Sequence, residues 1–91
     1  MNIALQNDTE MIAIPLPDQF SSIHNWSREA TGDWARDNAL GRQRAGELRA
    51  YIQMSGNFPA LAVVTEMIAT HGHFGGIEAG FFQRVSELMA R

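Results

Sequence analysis

Apolar side chains change their spacing once along this chain, near residue 18. Before it, Ile12, Ile14 and Leu16 alternate with smaller or turn-forming neighbours, the two-residue period of an extended backbone. Pro15 and Pro17 forbid a helix in that stretch and exclude a central strand. Residues 1–17 therefore read as an extended N-terminal arm, an edge strand or polyproline-like segment. Asn7-Asp8 would let Ile3-Ala4-Leu5 fold back beside it, although an isolated hairpin is marginal. The arm's apolar side is expected to lie across a helical body, its own or a neighbour's.

From Asp18 the period lengthens to that of a helix. A short helix is expected near 19–27, capped by Asp18 and interrupted by Gly32. The main first helix spans about 33–55, with Asp33 or Thr31 as its cap and Gly56 as a left-handed stop. Trp34, Gly41, Ala45, Leu48 and Ile52 share one stripe of it, and Gly41 and Ala45 are small enough to admit another backbone. A second stripe, Ala35, Ala39, Gly46 and Ala50, is either an exposed face or a close helix contact. Alanine is the best helix former at an exposed position, which favours the first reading. Glycine inside a helix costs about 1 kcal/mol against alanine, so Gly46 keeps the contact as the alternative. A second helix follows at about 58–71, capped by Asn57 with Pro59 in its first turn. His71-Gly72 end it, and Gly75-Gly76 release the chain into a third helix at about 77–90. The fold class is all-α: a small three-helix bundle over residues 18–91, preceded by the arm.

The second helix is apolar nearly all round, with Leu61, Val64 and Ile68 as its best face and Val63 and Met67 beside it. Glu66 is its only carboxylate. A helix of this kind is normally buried at the centre of something. Two neighbours cannot cover it, and each such side chain gains about 1.5–3 kcal/mol from burial. A homodimer is expected through Val63, Val64, Met67 and Phe82, with help from Ile12 and Ile14 in the arm. In a two-fold contact the same face of each copy would meet.

Composition narrows the function classes. Net charge is −3, which gives no general attraction to phosphate backbones or anionic membranes. Cysteine is absent, so disulfide scaffolds, thiolate metal sites and thiol catalysis are excluded. No basic and apolar leader pattern and no membrane-length apolar run is visible, which makes a cytoplasmic location the expectation.

Candidate chemistry is sparse. His71 and His73, with Glu66 and Glu78 nearby in sequence, hold the donor types of an open zinc or iron site. Their spacing matches no helical metal pair, and simple capping explains both His71 and Glu78. Glu78 falls inside the apolar arc of its helix, where it is expected to bond backbone amides at the helix start. Arg42, Arg44 and Arg49, with Arg36, would serve a helix-turn-helix nucleic-acid binder. Against this, acids share their helix, and the turn from His71 to Gly76 is too long for that motif. Trp26, Trp34, Phe58, Phe74, Phe81 and Phe82 read as core, not as a ligand pocket. No cofactor and no catalytic residue is expected. The reading is a non-enzymatic module that binds itself or another protein, with nucleic-acid and metal binding as the alternatives.

Overall fold

The computed structural model describes residues 14–91. After the short extended run Ile14–Pro17 come a single 3-10 turn, Asp18–Phe20, and four α-helices: α1 (Ile23–Ser27), α2 (Trp34–Ser55), α3 (Ala60–His71) and α4 (Gly76–Met89). The described chain is all-helical, as the periodicity predicts. Residues 1–13, which hold most of the expected arm and Ile12, lie outside the described residues.

Local chemistry sets most of these limits. Ser22, not Asp18, caps α1, accepting from the Asn25 amide at 3.1 Å. Asp33 caps α2, its carboxylate accepting from Ala35 N at 3.0 Å and Arg36 N at 3.3 Å. Gly56 closes α2 and Gly72 closes α3 with φ of 74° and 81°, a left-handed conformation that glycine adopts without strain. Asn57 does not cap α3. Its side chain donates instead to the Tyr51 hydroxyl at 3.0 Å, and that hydroxyl donates to Ile14 O at 2.9 Å. The start of the described chain is thereby tied to the α2–α3 turn.

The tightest junction joins α2 to α4. These helices run parallel, since Asn38 bonds Gln83 and Arg42 bonds Glu87 in the same chain direction. Glycines let the backbones touch. A methyl group on Gly41 would overlap the Ile77 carbonyl oxygen, and one on Gly80 would overlap that of Asn38. At Gly76 it would come within 2.8 Å of Asp37 Cβ. Gly76 and Gly80 stand four apart, the spacing that puts two small residues on one helix face.

Over this pair lies a core of Phe20, Trp26, Leu48, Tyr51, Val64, Ile68, Ile77 and Phe81. The segment from Leu16 to α1 crosses it as a strap, inserting Phe20 and Trp26. Trp26 is fully buried, edge-on to Phe81 with ring centroids 5.1 Å apart. Trp34, expected on the same buried stripe, is exposed. It is the first residue of α2, and Gly76 packs against its backbone and that of Asn38, not against its ring.

α3 contributes one narrow face. Ala60, Val64 and Ile68 are buried, spaced four apart, whereas Val63 is 52% exposed. The described helices leave part of this apolar helix uncovered, as expected for so few neighbours. α2 and α4 close directly on each other, so among the described residues α3 leans against the pair with its Val63 flank open.

Candidate interaction surfaces

Three buried side chains, Trp26, Arg44 and Glu78, form a polar network inside the core, which Glu29 joins from the surface. Trp26 Nε1 donates to Glu78 Oε2 at 2.6 Å, and the Gly75 amide donates to Glu78 Oε1 at 2.6 Å. Glu78 is 3% exposed, so its carboxylate caps α4 and pins the strap in one geometry. Arg44 is buried as deeply. Its guanidinium sits 5.3 Å from the Trp26 ring centroid, donates to the Trp26 carbonyl oxygen, and reaches Glu29 at 3.2 Å. Burial pulls Arg44 below the ordinary guanidinium range, opposed by Glu29. No buried side-chain nitrogen or oxygen among the described residues lacks a partner. A network in which every buried polar atom has a partner fixes the packing of the strap on α2 and α4.

A second carboxylate is spent on structure. Asp37 accepts from Thr31 N at 2.9 Å, Thr31 Oγ1 at 2.8 Å and Gly32 N at 3.1 Å. The Thr31 bonds, amide first, hold its carboxyl below the usual range. On the surface, Glu87 accepts both guanidinium nitrogens of Arg42, at 3.0 and 2.8 Å, and Arg84 at 3.1 Å. Those bonds, Arg42's first, bring Glu87 down to about 2.

The arginines expected to read a nucleic acid are therefore dispersed. Arg42 is locked to Glu87, Arg44 is inside the core, and Arg49 lines a groove between helices. The metal candidates are likewise apart in role. Among the described residues no three His, Asp or Glu side chains come together as a ligand set. His71 and His73 stack edge-on with centroids 6.1 Å apart, while Glu78 is committed to Trp26 and Gly75.

The expected interface residues divide. Val64 is fully buried by the chain's own core and cannot meet a partner. Val63 is exposed and Met67 half-buried, both beside Leu16 and Ile23 in a groove of about 430 Å³ between α3 and the strap. Phe82 is half-buried on another side of the molecule, stacked on the exposed Phe74 with ring planes 11° apart. Ile14 is 40% exposed. Of the six aromatics read as core, Trp26 and Phe81 are buried, Phe82 is half-buried, and Trp34, Phe58 and Phe74 are exposed. Ala35, Ala39, Gly46 and Ala50 form an exposed stripe, and nothing lies within 4 Å of a methyl group placed on Gly46. The exposed-face reading holds, and the alternative of a close contact is not made among the described residues.

Sequence reasoning missed a groove of about 220 Å³ where the C-terminal halves of α2 and α4 flank the start of α3. Its signal was present: Ile52, Leu61, Val85 and Leu88 lie on the faces that these helices turn toward one another. No described helix is long and apolar enough to cross a membrane. No known protein family, curated protein or solved structure matches the chain, so the surfaces themselves carry the functional argument.

Proposed function

We propose that this all-α chain is a non-enzymatic, cytoplasmic protein-interaction module that associates with a second copy of itself through α3 and the strap. The observation that carries this reading is the open flank of α3. Val63, Met67, Leu16 and Ile23 line one groove, and Val63, at the end of the first turn of α3, is 52% exposed. A two-fold axis beside α3 would bury this flank against its own copy, each helix filling the groove of the other. Removing two such side chains from water contributes on the order of 3 kcal/mol per copy before the cost of association. Chemistry is a poor competitor, because the buried carboxylates and the buried arginine are all committed to structural bonds.

Sedimentation of the purified chain tests the reading. A mass of twice 10.1 kDa is expected, falling to the single-chain value on Val63→Asp. That side chain is exposed, so the change should shift folding stability by no more than about 0.5 kcal/mol. A single-chain mass for the unaltered protein at millimolar concentration would refute the proposal.

A further inference from the structure

The groove that α2, α3 and α4 form at the far end of the bundle is separate from the α3–strap flank and differs in charge. Its walls are apolar, with Ile52, Leu61, Val85 and Leu88 along them and the exposed Met89 at the rim. Two polar side chains border it, Arg49 and Gln53, and no acid does. Arg49 meets no carboxylate among the described residues, whereas Arg42, Arg44 and Arg84 each meet one. The start of α3 adds to the positive field. Leu61 is the second residue of that helix, whose N-terminus has neither a side-chain cap nor an acidic residue in its first turn. The unpaired amides of a helix start carry a partial positive charge.

We infer that this groove accepts an amphipathic helix of another protein, one whose apolar stripe is flanked by carboxylates. The three helices already present leave a trough that a fourth helix fills. Leucine-sized side chains spaced three and four apart would meet Ile52, Leu61, Val85 and Leu88. A flanking carboxylate would reach Arg49, and one nearer the α3 start would face its free amides. Basic flanking residues would be repelled by Arg49 and the α3 start, so the groove discriminates by charge sign as well as by shape. The inference goes beyond self-association and uses different residues.

Two stapled helical peptides serve as probes, identical in their leucine stripe and flanked by glutamates in one and lysines in the other. Titrated into the full chain at low salt, the glutamate peptide should bind roughly tenfold or more tightly than its lysine twin. Methyl NMR shifts should appear at Leu61, Val85 and Leu88. Arg49→Glu should erase or reverse the preference while leaving the circular dichroism unchanged. Equal affinities, absence of binding, or shifts confined to Val63 and Met67 would overturn the inference. Concentration-dependent shifts at Leu88 and Met89 without peptide would also overturn it, by showing a second copy in the groove. Sedimentation of Val63→Asp reports on the dimer independently, so the two proposals fail separately.

Discussion

The α2–α4 seam and helix α3 have opposite designs. α4 has the more mixed sequence of the two, with glycines, a glutamate and an arginine in its first nine residues, yet it makes the closest approach in the molecule. α3 has the most apolar sequence and is the least covered. Close packing in this chain follows side-chain size more than hydrophobicity. Gly41, Gly76 and Gly80 bring two backbones together, so dispersion attraction is concentrated along a short length of seam. α3 packs through Val64 and Ile68, whose side chains hold its backbone further off, and its flanks open as grooves beside Leu61, Val63 and Met67.

That contrast is most directly broken at the seam. Gly80→Val would drive a side chain into the Asn38 backbone, which cannot retreat without moving α2. The expected loss exceeds about 4 kcal/mol, seen as absence of a cooperative melt. Next comes Trp26→Ala, which empties the centre of the core and strips Glu78 of its indole donor. A loss of about 3–5 kcal/mol in urea denaturation is expected. Substitutions on the open flank of α3 should not approach these values, and a Val63→Asp as damaging as Trp26→Ala would dissolve the distinction. One modest change runs the other way: Gly46→Ala should stabilise by about 1 kcal/mol, because space around it is open and alanine is the better helix former. No gain would mean that Gly46 is covered in solution.

Acid acts on the seam as well. Glu87, beside Arg42 and Arg84, and Asp37, at the Thr31–Gly32 turn, both titrate below their ordinary values of 4.5 and 3.8. The folded state therefore binds fewer protons than the unfolded one over that range. Their contribution to stability is complete above about pH 4.5 and is lost as pH falls toward 2. A urea midpoint that is flat from pH 7 to 5 and drops below it is expected. Arg42→Ala should remove much of the drop by restoring Glu87 toward its usual value.

The helices were legible because their boundaries are written in local chemistry. Asp33, Gly56 and Gly72 act within a few residues of themselves, and so do the prolines that keep residues 14–17 out of a helix. What escaped was the choice between neighbours. Helical periodicity places Val63 and Val64 on adjacent parts of one wheel but cannot say which of them the strap and α2 will cover. Arg44 reads as a surface charge until a segment 18 residues earlier supplies a carbonyl, an aromatic face and a carboxylate together. Glu78 was recognisable as a helix cap, whereas its indole partner, 52 residues away, was not. The four-residue glycine spacing on α4 was the clue most open to reading, because only a close backbone contact compensates two glycines in one helix.

One consequence of the parallel pairing concerns how the chain reaches this shape. Asn38 and Gln83, bonded across the seam, are 45 positions apart, with the whole of α3 between them. Closing so large a loop is an entropic cost that precedes most of the reward. An up-and-down bundle of equal length, assembled from successive neighbours, would fold faster. The closest contact of this protein is thus also one of its most distant in sequence, a topology that favours slow assembly.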